Sequence, residues 1–189
     1  MNQSILITGA NAGIGKETAR QLASDNQVNR IILGCRNSTK AQSAKKELET
    51  ATGRNIFEIL IMYVSNAESV KNAIEQLEGS VDALIMNAGG MGGRTTNNKT
   101  ESGMNELAAS NILGHVVLVE GLIEAGKLNK IAMLATSEGI LSVKKKGLKS
   151  SGIKTHTKEE LMSILDGACL LYTSPSPRDR TRSRMPSSA

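Results

Sequence analysis

The chain has 189 residues, of which 39% are hydrophobic and only 2% aromatic, with a formal net charge of +5. This composition excludes a disordered chain and allows one domain with a sizeable aliphatic core. Residues 169–189 hold four arginines against one aspartate, so the rest of the chain carries only +2. That is an ordinary surface charge, and we expect no nucleic-acid partner.

The compartment is predicted from what the sequence lacks. No apolar run approaches the ~20 residues that a membrane-spanning helix needs, and no basic, apolar leader precedes the first strand. The two cysteines, Cys35 and Cys169, are too few for a disulfide framework and lack the spacing of metal ligands. We therefore expect a cytoplasmic protein with no membrane span and no bound metal.

Apolar runs alternate with helical patterns along residues 4–135. Strands are predicted at residues 4–8, 30–35, 56–63, 81–86 and 130–135, and helices at 16–24, 39–50, 67–77 and 102–125, with a Gly- and Asn-rich loop at 92–98. This order predicts an α/β fold, a doubly wound parallel sheet of about five strands between two helical layers. Right-handed crossovers would align Gly9, Arg36, Asn87 and Ser137 along the sheet edge where ligands bind.

A glycine turn joins the first strand to the first helix. Gly9, Gly13 and Gly15 have the spacing G-x-x-x-G-x-G. Residues without a Cβ permit so tight a turn and let the backbone approach a ligand closely, and the helix directs free N–H groups at it. The turn therefore predicts a pyrophosphate site. The alternative is a tight structural turn that binds nothing.

The end of the second strand indicates the cofactor. Sites for NAD place a carboxylate here, to hold the ribose 2′-hydroxyl. This chain has Arg36 instead, with Lys16 as a second nearby cation. A guanidinium suits a 2′-phosphate, so we predict that NADP(H) is preferred over NAD(H). The alternative is that Arg36 is a solvated residue at the strand end.

Several segments, in the same order, resemble the short-chain dehydrogenase/reductase family. The sequence TGANAGIG at residues 8–15 resembles its cofactor turn, while GIGKETA and LGCRN resemble its retinol-dehydrogenase-like branch. Asn87, Ala88 and Gly89 resemble the family's Asn-Ala-Gly motif. Residues 111–115 and 131–137 resemble the segments that carry its catalytic asparagine and serine. The resemblance implies a Rossmann-type fold and hydride transfer between NADPH and a small carbonyl or alcohol substrate.

The resemblance also implies roles for single residues. Asn11, Ala12, Gly13 and Ile14 would contact phosphate and ribose, and the main chain of Val64 would contact the adenine. Asn87, Ala88 and Gly89 would support the sheet beside the nicotinamide ribose. Asn111 would kink its helix and hold a water in the proton relay, and Ser137 would donate a hydrogen bond to the substrate oxygen. The alternatives are a solvated helix residue at Asn111 and a cap or turn residue at Ser137.

Three positions depart from the family or stand outside its pattern. Tyr63 occupies a position near the adenine where the family often has an acid. His115 lies on an apolar helix and is expected to be packed or to face a partner, and His156 is expected in an exposed loop. Neither histidine is assigned a role. Homo-oligomers, usual in the family and often formed through the helix at residues 102–125, are expected of the parent protein.

The family's Tyr-x-x-x-Lys is missing from this chain. Its two tyrosines, Tyr63 and Tyr172, are followed four residues later by Ala67 and Ser176. Without a cation one helical turn away, a tyrosine is a poor acid–base group at neutral pH. We expect the chain to be a fragment without activity of its own, and its parent to be an NADP-dependent oxidoreductase. The alternative is a non-catalytic NAD(P)-binding regulator or sensor.

The last 21 residues differ from the rest in composition. All three prolines fall in residues 169–189. Back-translated, residues 169–179 and 183–189 resemble the two ends of a transposase-type sequencing adapter in one reading frame. The sequence therefore predicts an NAD(P)-binding domain over residues 1–168 and a non-native, disordered tail over 169–189. The alternative is a genuine tail rich in Ser, Arg and Pro.

Overall fold

A computed structural model describes residues 2–90, 98–101 and 103–135. Its strands are β1 (Gln3–Thr8), β2 (Val28–Cys35), β3 (Phe57–Ile61), β4 (Val81–Met86) and β5 (Leu128–Leu134). Its helices are α1 (Gly13–Leu22), α2 (Ser38–Thr52), α3 (Ala67–Gln76), α4 (Glu106–Ala108) and α5 (Gly114–Glu124), with a π-helical segment at Ala109–Leu113 between the last two.

The five strands form one parallel sheet in the order β3-β2-β1-β4-β5. The chain builds outward from β1 to β3, then returns to the other side of β1 for β4 and β5. The carboxyl ends of β1 and β4 therefore border the point where the strand order reverses. In open α/β sheets, ligands bind in the crevice at this point.

Helices cover both faces of the sheet. On β1, Ile5 and Ile7 join the core with residues of α1 and α2, whereas Leu6 joins the opposite core with residues of α3 and α5. This alternation follows from the two-residue period of a strand. The prediction of a three-layer, doubly wound α/β fold is confirmed.

The predicted helix at residues 102–125 has a different form. Its α-helical part begins only at Glu106, and the π segment interrupts it before α5 starts at Gly114. Predicted strand ends differ from the observed ones by one or two residues. The predicted loop at 92–98 lies outside the described residues except for residue 98.

The helical stretch Glu106–Glu124 also bears on the expectation of no membrane span. Its 19 residues are long and apolar enough to cross a membrane by length and composition alone. This is weak evidence, because core helices of globular proteins pass the same test. Leu118 and Leu122 of this stretch are fully buried against the sheet.

Candidate functional site

The glycine turn leaves β1 at Gly9 and enters α1 at Gly13. Both residues have positive φ, +69° and +55°. A Cβ on Gly15 would lie 2.5 Å from the Gly9 carbonyl oxygen and 2.5 Å from Nδ2 of Asn87. The turn therefore needs glycine for two separate reasons, backbone conformation at Gly9 and Gly13 and close packing at Gly15.

The amino terminus of α1 has no side-chain cap. Ala12 is its N-cap residue, whereas α2 and α3 are capped by the side chains of Asn37 and Asn66. The first N–H groups of α1 are thus left for solvent or for an anion. Ile14, in the first turn of α1, is 77% exposed and presents an apolar surface beside these groups.

Arg36 follows β2 at the same edge of the sheet and is exposed. Within the part of the chain that the structure describes, its guanidinium has no ion-pair or hydrogen-bond partner. Lys16 differs, because its ammonium binds a Glu47 carboxylate oxygen at 2.7 Å. The charge of Lys16 is therefore offset by α2, and Arg36 is the better candidate for an anionic ligand.

Cys35 lies beneath the glycine turn. It is 1% exposed, and the backbone N–H groups of Ala10 and Asn11 are directed at its sulfur. Burial raises the pKa of the Cys35 thiol to about 11, although these two amides act in the opposite direction. At neutral pH the thiol is protonated and packs as a small apolar group.

The buried hydroxyl of Thr8 connects the ends of β1 and β4. It accepts the backbone N–H groups of Asn87 and Ala88, both at 2.9 Å. The Asn87 side chain in turn donates through Nδ2 to the carbonyl oxygens of Thr8 at 3.0 Å and Gly9 at 3.4 Å. The Asn-Ala-Gly segment is thus fixed against the glycine turn by contacts between residues that are 78 to 80 positions apart.

Asn111 lies in the π segment and holds the same Asn-Ala-Gly region from the other side. Its Oδ1 accepts the Gly90 N–H at 3.0 Å, and its Nδ2 donates to the Gly90 carbonyl at 3.0 Å. The side chain is therefore engaged with backbone rather than solvated. Single-turn π segments inside α-helices are frequent at functional sites.

His115 is buried, 3% exposed, one turn after Asn111. Its Nε2 lies 3.1 Å from the Thr8 hydroxyl and its Nδ1 lies 3.4 Å from the Asn111 main-chain carbonyl. Burial lowers the pKa of His115 below its ordinary value, and the hydrogen bond to Asn111 opposes this only in part. Of the two expectations for His115, packing is the one observed.

Val64 follows β3 and is 8% exposed. The start of α5 passes against it so closely that a Cβ on Gly114 would overlap the Val64 carbonyl group. Tyr63, beside it, donates its hydroxyl to a Glu106 carboxylate oxygen at 2.6 Å. The segment after β3 is therefore anchored to both α4 and α5.

The structure brings most of the predicted site residues to one edge of the sheet. Those that follow β1 and β4 are in direct contact, and Arg36 and Val64 follow the neighbouring strands. Ser137 lies outside the described residues. Thr8 and His115 were not predicted as site residues, because a buried threonine and an apolar-face histidine carry no sequence signal beyond ordinary packing.

Comparison with known families decides the classification. Residues 3–140 match the family model described as short chain dehydrogenase.

The chain belongs to the short-chain dehydrogenase family.

Curated relatives place it near the retinol dehydrogenases. It is 33% identical over 139 residues to human retinol dehydrogenase 12, covering 72% of this chain and 43% of that protein. It is 32% identical over 142 residues to the short-chain dehydrogenase anuI of Penicillium roqueforti, covering 72% of this chain and 56% of that protein. The predicted retinol-dehydrogenase-like resemblance is confirmed. The chain spans about half the length of these relatives.

Solved structures share the fold at lower identity. Menthone neomenthol reductase from Mentha piperita superposes with a TM-score of 0.62 at 21% identity, covering 89% of this chain and 73% of the reductase. The alcohol dehydrogenase of Thermococcus sibiricus, complexed with 5-hydroxy-NADP, gives 0.59 at 23% identity, covering 89% and 67%. These similarities confirm the Rossmann-type architecture of this short-chain dehydrogenase.

A cavity of about 280 Å³ opens beside Asn111, between α5 and the carboxyl ends of β4 and β5. Met86 and Leu134 line it from the sheet, and Asn111 and His115 line it from the helical side. Its walls are mostly apolar. No group of three or more His, Cys, Asp or Glu residues that could hold a metal occurs among the described residues.

Proposed function

We propose that this short-chain dehydrogenase binds NADP(H) at the carboxyl edge of its sheet, in preference to NAD(H). The parent protein would use it to interconvert a small carbonyl and its alcohol. The bound cofactor would supply the hydride. The observation that carries the cofactor preference is the exposed Arg36 guanidinium, which has no partner among the described residues.

The glycine turn fits a pyrophosphate. A Cβ added at Gly13 would meet nothing within 4 Å, so the space above the turn is open to a ligand. The uncapped N–H groups of α1 would donate to phosphate oxygens, and the helix dipole favours the negative charge. In this proposal Gly9, Asn11, Ala12 and Gly15 form the rest of the cradle.

The adenosine half would lie across the ends of β2 and β3. Arg36 would form charge-assisted hydrogen bonds to the 2′-phosphate, a pairing that NADH cannot make. Val64 would contact the adenine through its main-chain N–H, since its carbonyl group and its side chain both lie against Gly114. A carboxylate contact to the adenine is not proposed, because Tyr63 takes the position of the acid.

The nicotinamide half would lie beside Asn87, Ala88 and Gly89. These residues are held by Thr8 on one side and Asn111 on the other. In the parent enzyme Asn111 would hold a water of the proton relay, and Ser137 would donate to the substrate oxygen. A cytoplasmic location and homo-oligomers of the parent stay predictions.

The cofactor proposal is tested by titrating the full chain with NADPH and with NADH, following cofactor fluorescence. Arg36→Gln should weaken NADPH binding by about ten- to a hundredfold, the loss expected for charge-assisted hydrogen bonds, and leave NADH binding unchanged. Lys46→Gln, which removes an exposed charge farther along α2, is the matched control. Equal affinity of the unmodified chain for both cofactors contradicts the preference, and binding of neither contradicts the site.

The fragment proposal rests on the missing Tyr-x-x-x-Lys. We expect no NADPH-dependent carbonyl turnover from this chain. We also propose that residues 1–168 form the domain and that 169–189 are a non-native tail. An independent read of the coding locus beyond codon 168 tests both. A native continuation with Tyr-x-x-x-Lys supports them, whereas a locus that encodes the same tail favours the non-catalytic regulator.

A further inference from the structure

The Thr8 hydroxyl fixes the proton position on His115. A hydroxyl has one hydrogen and two lone pairs. The Asn87 and Ala88 N–H groups, both at 2.9 Å, occupy the two lone pairs of Thr8. Its hydrogen is therefore available only for Nε2 of His115, which lies 3.1 Å away. Nε2 must accept this bond and so carries no hydrogen.

The position of the ring hydrogen on the other nitrogen, Nδ1, follows from this. A neutral imidazole with a bare Nε2 carries its hydrogen on Nδ1. Nδ1 lies 3.4 Å from the Asn111 main-chain carbonyl, which can only accept. A charged ring would place a hydrogen on Nε2 facing a hydroxyl with no free lone pair. Burial of the imidazole also favours the neutral form.

The surroundings of His115 contain little charge. β1, β4 and β5 contribute Thr8, Met86 and Leu134, and the π segment contributes Asn111. Among the described residues that line the same cavity, Glu120 on α5 is the only ionisable group besides His115 itself. No described carboxylate forms a hydrogen bond or ion pair with the ring.

Two chains of hydrogen bonds thus join Thr8 to Asn111. One runs through the backbone of Asn87 to Gly90 and ends on the Asn111 side chain. The other runs through the His115 ring and ends on the Asn111 carbonyl. Because they start and end on the same two residues, they form a closed ring that includes the backbone beside the proposed nicotinamide subsite.

We infer that His115 is a positioning residue for this subsite. As a neutral ring with its hydrogen on Nδ1, it fixes the Asn111 carbonyl relative to the ends of β1 and β4. The inference rests on the proposed cofactor binding. It adds the requirement that this buried imidazole stays uncharged for the subsite to keep its shape.

The proton position is measured first, in the cofactor-free chain. Imidazole ¹⁵N chemical shifts of the labelled protein distinguish the two neutral forms and the charged form. The chain has two histidines, so a His156→Gln variant assigns the signals. We expect His115 to be neutral with the hydrogen on Nδ1 at pH 7. A hydrogen on Nε2, or a charged ring, overturns the inference whether or not cofactor binds.

Substitutions then separate the two hydrogen bonds. His115→Asn keeps a donor near the Nδ1 position, and His115→Phe keeps the bulk but neither hydrogen bond. We expect Phe, which loses both hydrogen bonds, to weaken NADPH binding by about tenfold and Asn to restore most of it. A folded Phe variant that binds NADPH as well as the unmodified chain overturns the inference alone. An unmodified chain that binds no NADPH instead overturns the proposed function.

A pH profile provides a readout that simple packing would not change. As pH falls below the ordinary value for histidine and the ¹⁵N shifts show the His115 ring becoming charged, NADPH affinity of the unmodified chain should fall more steeply than that of His115→Asn. The 2′-phosphate of the cofactor titrates near pH ~6 in both proteins, so the difference in slope isolates the imidazole. Equal slopes over a pH range in which the ¹⁵N shifts show the ring becoming charged overturn the inference.

Discussion

Gly114, the first residue of α5, lies against the main chain of Val64 with no room for a Cβ between them. This contact brings the segment after β3 to the helical stretch Glu106–Glu124, in which Asn111 lies in the π segment and His115 in α5. A β-carbon at position 114 would have to displace a backbone carbonyl, which cannot rotate away as a side chain can.

We therefore expect Gly114→Ala to lower the free energy of unfolding by about 3 kcal/mol, the upper range for overpacking. Gly121→Ala is the matched control on the same helix, because its Cβ would meet only the flexible end of Ile74. The control should change stability by less than about 1 kcal/mol, since alanine is also the better helix former. Urea denaturation followed by circular dichroism gives both values, and equal effects would contradict the packing argument.

Lys127 caps the carboxyl end of α3, and we expect it to stabilise the fold. Its ammonium donates to the carbonyl oxygens of Ile74 at 2.7 Å and Leu77 at 2.6 Å, at the carboxyl end of α3. A cation there satisfies carbonyls that the helix leaves unpaired. Lys127→Met should lower the free energy of unfolding by about 1–2 kcal/mol in the same assay, whereas Lys71→Met, at an exposed position of α3, should change it little. A loss at Lys71 as large as that at Lys127 would refute the capping role.

Cys35 should be chemically inert in the folded chain. With its pKa raised to about 11, its reactive thiolate is scarce at pH 8. In a Cys169→Ser background, alkylation should be at least about a hundredfold slower than for an unfolded cysteine of pKa ~8.5. Denatured protein provides the control rate. The contribution of the neutral thiol to stability should be complete at pH values below the ordinary pKa of cysteine, and it should be lost as pH rises toward 11. Fast alkylation of folded protein would contradict this.

His115 should make stability depend on pH in the opposite direction. Its folded pKa is lowered, so the unfolded chain binds more protons between that value and the ordinary value near ~6.5. Its contribution to stability is complete above ~6.5 and is lost as pH falls through the folded pKa, at no more than about 1.4 kcal/mol per pH unit. The stability difference between the unmodified chain and His115→Asn should shrink accordingly. A pH-independent difference would contradict the lowered pKa.

The sequence was sufficient to predict the sheet and the glycine turn, because both depend on local signals. Apolar runs identified all five described strands, and the spacing of Gly9, Gly13 and Gly15 located the turn. The resemblance to the short-chain dehydrogenase/reductase family also indicates Asn87 and Asn111 as site residues.

Contacts between distant residues could not be predicted in this way. The apolar periodicity over residues 102–125 predicts one continuous helix. It contains no signal for the hydrogen bond between Asn111 and Gly90 or for the π segment that interrupts the helix. The contact of Thr8 with His115 joins residues 107 positions apart. The Lys16–Glu47 ion pair likewise could not be predicted from the sequence, and it offsets the charge of a lysine that was expected near the cofactor.

The strand order has a consequence for synthesis of the chain. β1 lies between β2 and β4, and Leu6 pairs with Leu84 only after β4 has been made. At about 5–20 residues per second, the ~80 residues between β1 and β4 take roughly 4–16 s to emerge. During that interval the apolar strand that leads into the glycine turn has an unpaired edge, a template for association with other chains. The central strand of the described sheet thus passes through a stage in which it is open to association on the ribosome, and chaperone capture of β1 should be most useful before residue 86 is made.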